Sequence, residues 1–461
     1  MTTAPPAVSM TGGAPAGRLG QVSWAFFDWA NQPFFTLITT FIFAPYFTAF
    51  VVGDPTEGQV LWGYVQAAAG ASIALLSPVL GSIADASGRR KPWILVFQVI
   101  SIIACWMLWY ALPGAPDGIV GILVAVTIAT VAAEFSIVFS NAMLPSLTSE
   151  DRIGRLSGYS WALGYAGGLV TLFFVLLAFS LPETPMFGLD RASHEHDRIV
   201  GPLSAVWMAV FIIPLFLFTP DAPASGIGAV QAVRDGLKRI AGTLRHLRDY
   251  KMIGLFLLAR MFYYDGLTAV FAFGGIYAQG VFGWDSSRLG IFGIVLVIFA
   301  MAGAAAGGWL DDRMGSKPTI LVAIGGMLIA TLGVVSVSAT GETGQFQVLF
   351  ALTVSGPTEG SALLSTPAEF VFLVFGIMLG IFGGPMQAAS RTLLARLAPA
   401  DMIGEFYGLY ALSGKATAFL APLVVAIVTS TTDSQRAGIS TLIAFFIIGG
   451  LLLLPVARSS R

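Results

Sequence analysis

Five ionisable side chains interrupt otherwise apolar runs: Asp28 in AFFDWANQPFF, Glu134 in TVAAEFSIVF, Arg260 and Asp265 in LLARMFYYDGLTAVF, and Lys415 in YALSGKATAF. At the centre of a bilayer each costs about 2.5–3.5 kcal/mol or more, so each is either functional or neutralised by a partner. A carboxyl at such a depth can exchange a proton with a solute pathway. Glu134 and Asp265 stand mid-run and are expected to face water and solute. Asp28 lies nearer one end of a long first run, where Asn31, Gln32 or a helix end can satisfy it. The competing arrangement is structural, with Arg260 or Lys415 neutralising Asp265 or Glu134 between helices. The coupling and substrate candidates are thus Asp28, Asn31, Glu134, Arg260, Asp265 and Lys415. Aromatic residues crowd the same runs, Trp24 to Phe35 and Phe262 to Tyr264. Packing against lipid or an interfacial belt accounts for most of them.

Other chemistry is sparse. No G-x-x-x-x-G-K-[ST] phosphate loop occurs. His194, His196 and His246 all fall outside the apolar runs, and His194-Glu195-His196 is at most an incidental cation contact. The single cysteine, Cys105, excludes an intramolecular disulfide and a cysteine metal cluster. No cofactor, no resident metal and no enzymatic activity are expected.

A second set of charges is patterned in the connections. Gly81-SIA-Asp85-AS-Gly88 is followed by Arg89, Arg90 and Lys91, and Gly308-WLD-Asp312-Arg313-M-Gly315 is followed by Lys317. Gly81 and Gly88 permit close packing and a tight turn. Asp85 can pair with a basic neighbour or a helix N-terminus. Such a network is expected to hold one conformation shut and to break when it opens. Asp312 competes with Asp311 for the second copy, and Asp151 and Asp401 are candidate acidic partners on the same face.

The elements that must position these residues follow from composition. Apolar residues make up 56% of the 461 and charged ones 11%, against about 25% charged in soluble domains. With about 20 apolar residues needed per span, the chain divides into twelve: 22–51, 60–83, 92–112, 118–143, 156–180, 202–220, 252–280, 287–310, 318–338, 368–393, 405–428 and 437–457. The fold class is all-α transmembrane, about twelve helices. Residues 1–20 read as a disordered tail, 21–220 and 251–461 as two six-helix halves, and 221–250 as a basic, amphipathic cytosolic linker. Placing both termini in the cytoplasm puts 18 of the 24 basic residues on that side, as the positive-inside rule requires. A net charge of −1 gives no field to attract nucleic acid.

The halves repeat. The two glycine-aspartate motifs stand 227 residues apart. Asp151-RI-Gly154-RLS-Gly158-YSWAL-Gly164 recurs as Asp401-MI-Gly404-EFY-Gly408-LYALS-Gly414 at an offset of 250, and FFDWA around Asp28 corresponds weakly to YYDGL around Asp265 at 237. Parallel duplication of six helices is the architecture of major facilitator carriers.

The two loop motifs resemble that superfamily's own, and the resemblance covers the chain after residue 20. Trp24-AFF-Asp28-Trp29-Ala30-Asn31 resembles the opening of the autophagy-related vacuolar amino-acid effluxer branch and its bacterial relatives. The resemblance implies a secondary permease working by alternating access, moving an amino acid or similar small metabolite outward. Its expected partners are that solute, a coupling proton or cation and the lipid bilayer, and it is expected to act as a monomer in a bacterial inner membrane. Alternatives are a cation-coupled sugar or glycoside symporter and a non-transporting receptor or lipid-handling scaffold on the same fold.

Overall fold

The computed structural model describes residues 9, 13–87, 89–149, 153–221, 231, 250–340, 344–357, 364–397 and 403–456. Twelve helical passes alternate between two ends of one bundle. In the first half they are α1 (Arg18–Val52), α2 (Pro55–Ser87), α3 (Lys91–Tyr110), α4 (Pro116–Leu147), α5 (Ile153–Val175, continued by a π turn Leu176–Ser180) and α6 (Glu195–Phe218). In the second they are α7 (Lys251–Phe282), α8 (Ser286–Met314), α9 (Ser316–Val335), α10 (Pro367–Leu397), α11 (Ile403–Ala416, then Leu420–Thr432) and α12 (Gln435–Leu453). Ten described helices are long and apolar enough to cross a bilayer.

Every expected span coincides with a pass, but three details differ. The eleventh is split by a turn at 417–419, just past Lys415. The connection 339–367 is not plain loop: Ser338–Ala339 (β1), Gln345–Val348 (β2) and Leu352–Ser355 (β3) form an antiparallel sheet in the order β1-β2-β3. Helix α1 begins at Arg18, inside the stretch expected to be tail, and the Ala16 amide bonds Leu147 O at 3.0 Å. Most of the expected linker helix 221–250 lies outside the described residues.

Helix α1 is regular only to Pro33, then π-helical over Phe34–Phe41 and Phe47–Val52. Proline has no N–H, so the carbonyl of Trp29 loses its helical donor. The Trp207 indole on α6 supplies the replacement at 3.0 Å and stacks on Trp29 at 5.5 Å between centroids. Broken helices survive in a bilayer only where neighbours repair the backbone in this way. Farther along, Thr39 and Thr40 both donate to Phe35 O at 2.8 Å, keeping the π turn satisfied.

At the end opposite the termini the halves are sewn together. Gln59 on α2 donates to Thr429 Oγ1 at 2.7 Å and to Gln435 O at 3.3 Å, and Gln435 donates to Pro55 O at 2.7 Å. A second seam joins Ser286 to Asp197 and Ser287 to Ser180 O. This end is therefore closed.

Candidate functional site

The first half holds its charge between α1 and α5. Asp28 accepts a 2.5 Å hydrogen bond from Ser160, not from Asn31 or Gln32 as its position in the sequence suggests. A Cβ at Gly164 would lie 3.2 Å from that of Asp28, so the helices approach closely there. Asn31 is 2% exposed and does other work: its amide donates to Phe27 O at 2.9 Å, and its oxygen accepts from Gln98 on α3 at 2.8 Å. Gln98 reaches Ser136 on α4 at 3.0 Å. One short polar chain thus ties α1, α3 and α4 together two residues from Glu134, which is itself half-buried and partnered.

The second half repeats the frame with different chemistry. Arg260 on α7 donates to Tyr410 O at 2.8 Å and to Ser413 Oγ at 2.9 Å, both on α11. Its guanidinium lies over the rings of Tyr410, at 3.7 Å, and Tyr264, at 4.6 Å. Cation–π contacts of this kind are worth about 2 kcal/mol when desolvated. Gly414, the repeat partner of Gly164, leaves the room: a Cβ there would stand 2.8 Å from Arg260 Nη1. Ser160 and Tyr410 are also repeat partners, at the offset of 250. In both halves, then, the fifth helix presents the same two positions to a charged residue of the first.

Asp265, one and a half turns beyond Arg260, is 1% exposed, and neither carboxylate oxygen has a hydrogen-bond partner. The Thr417 hydroxyl lies beside it but outside hydrogen-bond geometry. The expected Arg260–Asp265 ion pair does not form among the described residues, although the guanidinium is close enough to act on the carboxylate through space. Asp265 is also sealed from solvent in this conformation rather than facing water. Next to it Tyr263 bonds Ser390 of α10 at 2.7 Å, which anchors α7 from the other side.

The two loop-motif lysines are held within their own halves. The amides of Arg90 and Lys91 donate to the Asp221 carboxylate at 3.0 to 3.2 Å, an acid capping the start of α3. Lys91 Nζ then reaches Phe216 O at 3.0 Å, and Lys317 Nζ reaches Leu454 O at 2.5 Å and Val456 O at 2.8 Å. Each lysine opens the third helix of its half and clamps the end of the sixth. Arg89 and Arg313 are exposed and partnered, and Gly315 ends α8 with φ +88°. Gly81, Asp85, Gly308, Asp312 and Lys415 are described in their backbone alone, and Gly88, Asp151 and Asp401 lie outside the described residues.

Three acids escaped the sequence reading. In the sequence Asp221 is only the first residue of a linker, and nothing local marks it as a cap for a helix 130 residues away. Glu369, 0% exposed, accepts from Trp284 Nε1 at 2.9 Å and from Thr366. Thr366-Pro-Ala-Glu369 is a capping box, a signal that was legible. Asp197 is the third.

A family model described as "Vacuole effluxer Atg22 like" matches residues 57–461. The chain belongs to that family. An uncharacterised MFS-type transporter, YxiO, of Bacillus subtilis is 24% identical over 94% of this chain and 93% of its own length. Autophagy-related protein 22-1 of Neosartorya fischeri is 25% identical over 67% of this chain and 49% of its own, so the chain spans about half the length of such fungal relatives. Among solved structures, a D-xylose-proton symporter superposes with a TM-score of 0.65 at 14% identity, over 95% of this chain and 96% of the other. The nucleoside transporter NupG does so with a TM-score of 0.62 at 13% identity, over 95% and 99%. These fix the fold as that of major facilitator transporters. The Atg22-like chain is a multi-pass membrane transporter of that type, consistent with a protein that is not an enzyme.

Proposed function

We propose that this carrier exports a zwitterionic amino acid or similar small metabolite by alternating access, coupled to protons, as a monomer in a bacterial cell membrane with both termini in the cytoplasm. One observation carries the substrate class: a buried carboxylate without partners, Asp265, stands one and a half turns from an arginine held between two tyrosines. An ionised carboxylate left bare in a low-dielectric site is costly. Asp265 must therefore recruit a proton, a cation or the ammonium group of a solute. Arg260 keeps Nε free of hydrogen bonds and presents positive charge to a carboxylate. A solute carrying both groups fits both residues. The closed seams at the end opposite the termini supply one limiting state of the cycle, and the lysine clamps at the other end keep each half rigid as it moves. The effluxer family supports outward movement.

Vesicles reconstituted with the protein test the reading. Labelled amino acids should accumulate under an imposed pH gradient, and Asp265→Asn or Glu134→Gln should reduce accumulation to the level of empty vesicles. Unchanged accumulation in both variants removes the coupling role, and accumulation of labelled sugars in place of amino acids overturns the substrate class.

A further inference from the structure

The end of the α5–α6 connection and the first turn of α6, at the end opposite the termini, gather two imidazoles and a carboxylate that the transport mechanism does not use. His194 Nδ1 lies 2.9 Å from Asp197 Oδ2, His196 Nε2 lies 3.5 Å from the same oxygen, and the three donor atoms all fall within 4.8 Å of one another. Asp197 is 2% exposed. Its other oxygen is held by the Ser286 hydroxyl, which comes from α8 in the second half. We propose that His194, His196 and Asp197 form a binding site for a divalent transition metal of the zinc type.

Four features favour a ligand set over a chance cluster. Outer-sphere hydrogen bonds that orient a ligating carboxylate are the usual support of such sites, and Ser286 provides one. His194 is held in a left-handed conformation, φ +53°, with its ring 4.1 Å from that of Phe50 and 5.5 Å from that of Tyr46. A non-glycine residue keeps such a backbone only where its surroundings enforce it, commonly at functional sites. His196 forms no hydrogen bond through either ring nitrogen among the described residues, and its Nδ1 is buried without a partner. The adjacent Arg198 is turned away: it donates to Trp109 O at 2.8 Å, lies over the Trp109 ring and meets Glu195 at 3.6 Å. Arg191 and Asp285 complete the charged surroundings.

Two imidazoles and one carboxylate are the donors that select zinc-like ions over calcium or magnesium, which take oxygen. Zinc bonds of about 2.0–2.2 Å in a tetrahedron place donors about 3.4 Å apart, so donor atoms that lie within 4.8 Å of one another need close by at most about 1.4 Å. Ser286 reaches Asp197 across the seam that closes this end, so a metal that needs this support would favour the closed state by mass action.

Full-length protein free of any histidine tag, stripped with EDTA, decides the matter. Titration calorimetry should show one equivalent of Zn²⁺ taken up, and none of Mg²⁺. Co²⁺ should give the visible absorption of a tetrahedral nitrogen–oxygen site. His194→Ala and His196→Ala, each checked for an unaltered thermal melt without metal, should weaken Zn²⁺ uptake at least tenfold. Absence of saturable Zn²⁺ uptake by the wild-type protein, or equal uptake by the double variant, overturns the proposal.

Discussion

At the scale of single residues, Asp28 and Asp265 stand at corresponding places in the two halves and have opposite circumstances. Asp28 has a serine donor; Asp265 has none. The difference traces to the fifth helices, where Ser160 is matched by Tyr410, and the tyrosine holds an arginine instead of an acid. Charge placement is thus asymmetric on a symmetric frame, as a carrier that binds one solute in one orientation requires. Arg260→Lys tests this. Lysine keeps the charge but loses the planar stacking surface and the fixed fork of donors. Losing about 1.4 kcal/mol of solute binding raises KM about tenfold, so uptake kinetics should show that rise with kcat little altered. An unchanged KM removes Arg260 from solute recognition.

At the scale of elements, the closed end depends on how near α2 and α11 can come. A Cβ at Gly70 would stand 2.6 Å from the backbone nitrogen of Phe419, at the turn that splits α11. Gly70→Leu cannot fit without parting the helices and should shift the population toward a state open at that end. Gln59, 0% exposed in the same seam, reports it. With Cys105 replaced by alanine, Gln59→Cys should react with a membrane-impermeant maleimide several-fold faster when Gly70→Leu is added. Equal rates would mean that the seam does not govern access. The π-helical stretches of α1 belong to the same scale. Irregular turns of this kind concentrate at functional sites, and here they lie where Thr40 O approaches Gly275 of α7.

For the whole molecule, the internal repeat is physical as well as textual. Lys91 and Lys317 clamp the last helix of their own halves, and Asp54 and Asp285 cap the second helix of each by accepting from backbone amides at 2.8 to 2.9 Å. Two such rigid units joined by seams at one end are suited to rocking about the site between them. The proposed orientation is checked by two cysteines in the same Cys105-free background. Gly13→Cys should be labelled only from the cytoplasmic face, and Gly344→Cys, in the turn before β2, only from the opposite face. The reverse pattern inverts the topology and the inferred direction of transport.

Much of this was determined by the sequence alone. Twelve passes follow from hydropathy because a bilayer demands an apolar length, and the two halves follow from repeat offsets because duplicated helices keep their glycines. Gly164 and Gly414 mark the repeat in the sequence and form the floors beneath Asp28 and Arg260 in the fold. The five intramembrane charges were visible because charge in an apolar run is conspicuous wherever it folds. Their partners were not. Ser160 stands 132 residues from Asp28, and Asp221 about 130 from the amides that it caps. Which hydroxyl or carbonyl reaches a charge depends on helix rotation and crossing, and no local pattern encodes either. Tertiary structure alone decided that Arg260 turns to two tyrosines and leaves Asp265 bare, and that His194, His196 and Asp197 meet a serine from the other half.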